Sequence, residues 1–312
     1  MKILLLAGGW SPEREVSLKG AKEIEAALAG MGHRVSRLDP LAELRELPEF
    51  GKDYDFIFIN MHGSPGEDGL IQAMIEKIPA PYNGSGAAAS MIALNKYVSK
   101  IYYREAGLRV CPEKFAIFAE KNDLSLSFEF PAIMKANTAG SSANLFKLEG
   151  TEDLERTATA RILDYGDDYL IEPMVKGMDV TCPVMGNAGN PCEALPPILI
   201  KPAKGEIFDY IAKYTDGGAE EICPAPLPAE ILREISEAAK TAHRVLGLSG
   251  FSRSDFMVDK DGRAYILETN TLPGMTPNSL LPKSAKAIGM SFEDLLAKII
   301  ELGIEKFEAE RQ

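Results

Sequence analysis

Two carboxylates, an amide and a guanidinium recur at alternating positions late in the chain: Arg253 and Asp255 in S-R-S-D-F-M-V-D, then Glu268 and Asn270 in Y-I-L-E-T-N. Asp261-Gly262 lies between the two runs and supplies the positive-φ positions of a tight type I′ turn. A hairpin folded about a two-residue loop there sets Asp255 opposite Glu268 and Arg253 opposite Asn270, and the side-chain period of two puts all four on one face. A three-residue turn would break that register. Facing carboxylates destabilise a sheet unless solvent, a proton or a cation compensates them. Oxygen-only donors suit Mg²⁺, which keeps some of its water and takes phosphate oxygens as further ligands. The bland alternative is a wet surface hairpin, but L-P-G-M-T follows at once and resembles an active-site loop more than a strand end.

Other segments offer complementary chemistry. Lys135 ends an apolar strand and is followed by the small-residue loop A-N-T-A-G-S-S-A. Backbone N–H groups and hydroxyls in such a loop can cradle phosphates while the lysine supplies a point charge. An ordinary hairpin loop reads the same way in isolation, and the downstream hairpin favours phosphate. Lys213 and Tyr214 sit in a polar loop, 203–220, longer than a routine connector; such loops are often lids over reactive intermediates, or else surface excursions. Glu13, in S-P-E-R-E-V-S, precedes the first helix, where a carboxylate serves the helix dipole or binds an ammonium, and Ser11 could cap that helix. His62 ends a strand at the carboxyl edge of a parallel sheet, where α/β sites cluster. A lone histidine is more often structural, but this one is followed by Gly63, Gly66, Glu67 and Asp68. No G-x-x-x-x-G-K-S/T is present, and Gly84-Ser85-Gly86-Ala87-Ala88-Ala89 reads as a turn opening a helix rather than a dinucleotide fingerprint, because P-A-P-Y-N before it is poor strand.

These groups need a scaffold. The 312 residues, 46% of them hydrophobic, suffice for two or three domains with large cores. A net charge of −12 disfavours nucleic acid and acidic membrane surfaces as partners. The apolar run Ile3 to Ala7 is too short for a signal peptide core, and no run approaches the ~20 residues of a membrane span. Four scattered cysteines and three histidines fit neither structural zinc nor a disulfide framework, and a cytoplasmic enzyme is expected. Apolar periodicity predicts a parallel-sheet start, with strands at 2–7, 34–38 and 56–60, a helix over 17–29 and a helix near Leu70. A single helix is predicted over 87–106. An α+β middle follows, with strands at 130–135, 142–148 and 169–172. Strands at 180–185 and 198–200, a helix over 229–246, the hairpin and a helix over 291–307 complete the chain.

The ordered set resembles the D-alanine:D-alanine ligases of the ATP-grasp superfamily over nearly the whole chain. The resemblance rests on G-G-W-S-P-E-R-E-V-S-L from Gly8, H-G-S-P-G-E-D-G-L-I-Q from His62, G-S-S from Gly140, F-D-Y-I-A-K-Y from Phe208, C-P-A from Cys223 and L-E-T-N-T-L-P-G-M-T from Leu267. It implies a three-domain α/β and α+β architecture: an N-terminal substrate-binding domain with a parallel sheet over 1–95, a central ATP-grasp subdomain over 96–179, and a catalytic subdomain over 180–312 carrying the lid 203–220. It also implies ATP-dependent phosphorylation of one D-alanine and attack by a second, for peptidoglycan precursor synthesis, in a cytoplasmic homodimer. Carried over by position, Asp255, Glu268 and Asn270 would hold one or two Mg²⁺ ions, with Mn²⁺ as a substitute. Lys96, Lys135 and Lys213 would meet ATP phosphates, Glu172 the adenine side and Asp179 the ribose. Glu13, linked to Ser141 and Tyr214, would hold the first ammonium; Arg253 and the Gly274 N–H would face the oxyanion; His62 and Ser279 would contact substrate, Ser279 at the second carboxylate. Departures from the family pattern at Asn95, Ala136, Ala143-Asn144, Pro173 and Asp179 fall on the nucleotide side, and Trp10 stands where a small residue is common. The alternatives are a ligase using D-lactate or D-serine second, and a nucleotide-binding protein without turnover.

Overall fold

The computed structural model describes residues 1–112, 114–116, 129–138, 145–154, 156–157, 169–202 and 218–311. Ser141, Lys213, Tyr214 and most of the expected lid lie outside these residues.

Ile3, Leu4, Leu5 and Leu6 are apolar in succession, a pattern that suits a strand buried on both faces. Strand β1 (Lys2–Ala7) accordingly lies between β2 (Arg34–Leu38) and β3 (Phe56–Asn60), parallel to both. Helix α1 (Arg14–Gly30) makes the crossover, and the one-turn helices α2 (Pro40–Glu43) and α3 (Leu47–Phe50) lead into β3. Helix α4 (Leu70–Ile75) follows the H-G-S-P-G-E-D-G loop.

The expected single helix over 87–106 is two helices, α5 (Ala87–Leu94) and α6 (Lys96–Glu105). Asn95 between them is extended (φ −79°, ψ 99°), and its side chain accepts from Val98 N–H at 3.0 Å. The asparagine caps a new helix in place of continuing the old one.

Two antiparallel sheets follow. Strands β4 (Lys114–Ala116), β5 (Ala132–Ala136), β6 (Leu145–Leu148) and β7 (Tyr169–Pro173) pair in the order β4-β7-β5-β6. Strands β8 (Gly177–Met185), β9 (Glu193–Ala194), β10 (Ile198–Pro202), β11 (Ala219–Ile222), β12 (Phe251–Asp259) and β13 (Ala264–Asn270) form the other, ordered β11-β10-β8-β12-β13 with β9 on β8. Helix α7 (Ala229–Val245) covers this sheet. Strand β11 takes residues 219 and 220, which were expected to belong to the lid.

Helices α8 (Leu280–Ala287) and α9 (Phe292–Ala309) return to the first sheet: Leu281, Leu295, Leu296 and Ile299 share one core with Ile3, Leu5 and Phe56. A capping box at Ser291 and Asp294 starts α9. Among the described residues, no helix is long and apolar enough to cross a membrane.

The β12–β13 hairpin departs from its expected turn yet keeps its pairing. The loop has three residues, Lys260 to Gly262, closed by Asp259 N–H to Arg263 O and Gly262 N–H to Asp259 O, both 3.0 Å. Gly262 takes φ +80°, the left-handed position that such a turn reserves for glycine. Near the turn Val258 faces Ala264, one step off the expected register. A bulge then inserts Leu267, after which Asp255 faces Glu268 and Arg253 faces Asn270, as a two-residue turn would have placed them.

Candidate active site

Side-chain hydroxyls tie the loops that carry the first acidic group. Ser17 Oγ accepts from Gly8 N–H (2.8 Å) and donates to Asn60 O (2.5 Å), joining the start of α1 to the ends of β1 and β3. Ser11 is not the helix cap: its Oγ accepts from Glu13 N–H at 3.1 Å and donates to His62 O at 2.6 Å, while Glu13 occupies the cap position without a side-chain cap bond. Glu13 and His62 are thereby held together at the carboxyl edge of the parallel sheet. His62 is buried, and its Nδ1–H donates to Leu272 O (3.0 Å), linking this sheet to the loop after β13. Burial holds the His62 pKa below the usual histidine value despite the charge of Glu13.

The hairpin face carries a forked ion pair. Arg253 Nε donates to Asp255 Oδ1 and Nη2 to Oδ2, each at 3.0 Å, and Thr181 Oγ1 adds a 2.5 Å bond to Oδ1. Burial opposes the guanidinium charge, but Asp255, then Glu268 and Glu67, hold the arginine pKa above its ordinary value. Glu268 pairs with Lys96 (3.2 Å) at the first turn of α6. Asn270 Oδ1 accepts from Leu272 N–H at 2.8 Å. On the opposite face of the strands, Tyr103 Oη donates to Thr269 Oγ1 (2.7 Å), which also bonds Ser254 Oγ (2.8 Å), so α6 and the hairpin are joined through buried hydroxyls.

A buried triad lies on the four-stranded sheet. Lys135 Nζ pairs with Glu172 Oε1, and Lys100 Nζ donates to Glu172 Oε2 at 2.6 Å. Burial alone would raise the Glu172 pKa, but Lys135 and then Lys100 hold it below the usual carboxylate range. Burial likewise opposes the charge of Lys135, and Glu172 more than offsets it. Lys135 and Glu172, expected at different ends of a nucleotide, are thus partners of each other.

Gly274 and Ser279 close the site: a Cβ on Gly274 would lie 3.0 Å from Ser279 Oγ. Ser279 is the extended residue before α8, and its Oγ accepts from Thr276 N–H at 3.1 Å.

All twelve described candidate residues, Asp179 included, line one cavity of about 960 Å³. The cavity runs from the parallel sheet to the space between the two antiparallel sheets. Trp10 is 45% exposed and is not among its lining residues. Lys100, Thr181 and Leu267 were not anticipated. Lys100 had a signal, since it stands four residues after Lys96 on one helix face. Nothing in the sequence marked Thr181, whose position follows only from the pairing of Asp255 with Thr181 across β12 and β8. Among the described residues, no group of three or more histidine, cysteine or acidic side chains gathers as a metal site; the hairpin offers two carboxylates and an amide.

Residues 113–301 match the family model for the D-alanine–D-alanine ligase C-terminus. The D-alanine–D-alanine ligase of Nitratidesulfovibrio vulgaris is 48% identical over 97% of this chain and 98% of the relative. This chain belongs to the D-alanine–D-alanine ligase family. That of Halalkalibacterium halodurans is 38% identical over 98% of the chain and all of the relative. Among solved structures, the D-alanine–D-alanine ligase of Bacillus anthracis superposes with a TM-score of 0.86 at 34% identity, covering 99% of both chains. The same ligase complexed with ATP gives 0.84 at 31% identity, again covering 99% of both chains. The fold is therefore the family's ATP-grasp architecture, and the chain is a ligase.

Proposed function

We propose that this chain joins two D-alanines at the expense of ATP through a D-alanyl phosphate, supplying the dipeptide for peptidoglycan in the cytoplasm, as a homodimer. The observation that carries this reading is the convergence on one cavity of the Glu13 carboxylate, a forked arginine, two lysines and an acidic hairpin. A carboxylate is a poor electrophile until phosphorylated, and phosphoryl transfer chiefly requires positioning and neutralisation of charge.

ATP would lie between the two antiparallel sheets, its phosphates toward Lys96 and Lys135 and its nucleoside toward Glu172 and Asp179. The donor set of Asp255, Glu268 and Asn270 fits Mg²⁺: all three offer oxygen, and although Arg253 and Thr181 both occupy Asp255 Oδ1, among the described residues Asp255 Oδ2 accepts from Arg253 alone and Asn270 Oδ1 from Leu272 N–H alone. When bound there, the ion would neutralise phosphate charge. Glu13 would hold the first ammonium. Arg253, already fixed by Asp255, would face the oxygen of the acyl phosphate together with the Gly274 N–H. Ser279 and the first N–H groups of α8 would take the carboxylate of the second amino acid. The resemblance assigns Lys213, Ser141 and Tyr214 to the phosphates and the Glu13 side; they lie outside the described residues.

A coupled assay for ADP and phosphate tests the reading. Stoichiometric release with D-alanine and Mg²⁺, and D-alanyl-D-alanine as product when D-lactate or D-serine competes, is expected. No turnover with any D-amino acid would refute it.

A further inference from the structure

The cavity holds a buried carboxylate besides Glu13 and Glu172, one to which the proposed reaction assigns no task. Glu67 is 5% exposed and lines the cavity. Its Oε2 accepts from Gly63 N–H at 2.8 Å, but its Oε1 has no hydrogen-bond partner among the described residues. A buried oxygen left in that state is unfavourable unless something else completes it.

Two acids converge on Gly63. That residue takes φ +65°, and Glu67 N–H donates to Gly63 O at 2.8 Å, so the turn folds Glu67 back onto its own start. From the other side, Glu13 Oε2 lies 3.5 Å from where a Cβ on Gly63 would stand. The two carboxylates come from different elements, the start of α1 and the loop after β3, and no lysine or arginine pairs with Glu67 among the described ion pairs.

We propose that Glu67 binds substrate: with Glu13 it clamps the α-ammonium of the first D-alanine, its Oε1 accepting an N–H that Glu13 leaves over. This rests on the reading of Glu13 as the ammonium's carboxylate. An ammonium carries three donors, more than one carboxylate ordinarily satisfies. Burial, then the charge of Glu13 and to a smaller extent that of Glu268, push the Glu67 carboxyl up to about 8, while Gly63 N–H and Arg253 act the other way. Seating an ammonium between the acids therefore expels a proton from Glu67.

Calorimetry of D-alanine binding to the full chain, with a non-hydrolysable ATP analogue, in two buffers of different ionisation heat, tests this. Wild-type protein is expected to release close to one proton near pH 7. Glu67→Gln can still accept from Gly63 N–H, so it should melt like wild type, bind about 10- to 100-fold more weakly, the loss expected for a bond to a charged group, and release no proton. Its KM for the first D-alanine should rise while that for the second holds. Wild-type affinity and proton release in Glu67→Gln would overturn the proposal. Should that variant melt low, Glu67→Asp is decisive: weaker binding with proton release retained supports the clamp, and unchanged affinity overturns it. If Glu13→Gln binds normally while Glu67→Gln is weak, the role of Glu13 falls instead; if only Glu13→Gln is weak, the clamp falls.

Discussion

At the scale of single residues, the site is built from charges fixed by partners before any ligand arrives. Arg253 is held flat by both oxygens of Asp255, so its remaining N–H groups are directed without reorganisation. Arg253→Ala should lower kcat by roughly 10²- to 10³-fold with a smaller change in KM, and Arg253→Lys should not restore it, since an ammonium lacks the planar fork; steady-state kinetics on both variants checks this. Lys100 is different. It is fully buried and, among the described residues, reaches the proposed nucleotide region through Glu172, so it would act as a positioning residue for Lys135. Losing one partner of a buried ion pair typically costs about 3–5 kcal/mol. Because Glu172 keeps Lys135, Lys100→Met should cost less, about 2–3 kcal/mol in denaturant unfolding, and should raise KM for ATP with little effect on KM for D-alanine. The charged groups of the hairpin were legible in the sequence because alternation fixes their face. The mutual neutralisation of Lys135 and Glu172 was not, because that contact depends on the register between β5 and β7.

At the scale of elements, the hairpin shows both what a pattern determines and where it stops. Asp261-Gly262 correctly marked a turn, but Lys260 joins it, and the one-residue change in register is cancelled by the bulge at Leu267. Two departures from regularity restore the facing of Asp255 and Glu268. Alternation of polar and apolar residues carries no information about either, because Leu267 is apolar and still lines the cavity. Gly262→Val would force a β-branched residue to φ +80° and bring its Cβ to 3.0 Å from Ile231 Cδ1. The expected cost is about 1–2 kcal/mol in urea unfolding with kcat little altered, since the turn is remote from the cavity residues. The break at Asn95 has a similar lesson. Helical periodicity runs through it, whereas the side-chain bond to Val98 N–H sets the boundary and gives Lys96 its place at the first turn of α6.

At the scale of the whole molecule, bonds between distant segments hold the cavity walls together. His62 reaches Leu272, Ser85 exchanges bonds with Ser249, and Lys306 of α9 donates to Gly84 O at 2.8 Å. His243 belongs to the same framework, accepting from Ser252 Oγ (2.8 Å) at Nδ1 and donating from Nε2 to Gly186 O (3.1 Å). Burial pushes its pKa down to about 4, against the Gly186 bond, while an unfolded chain titrates near 6.5. Its contribution is therefore complete above about pH 6.5 and is lost as pH falls from there toward 4, on the order of 3 kcal/mol in all. Urea unfolding of wild type and His243→Gln at pH 7.5 and 4.5 should show the wild type losing more stability over that interval. Sequence patterns marked the parallel N-terminal sheet and the residues that line the cavity, but these links were illegible because each depends on how separate elements pack. The most direct measurement of the proposed chemistry uses D-alanine labelled with ¹⁸O in its carboxylate, ATP and Mg²⁺, followed by mass spectrometry of the released phosphate. Transfer of one labelled oxygen to phosphate for each dipeptide formed is the expected result. Dipeptide formed with unlabelled phosphate would contradict carboxylate phosphorylation, and with it the proposed roles of Arg253 and the hairpin.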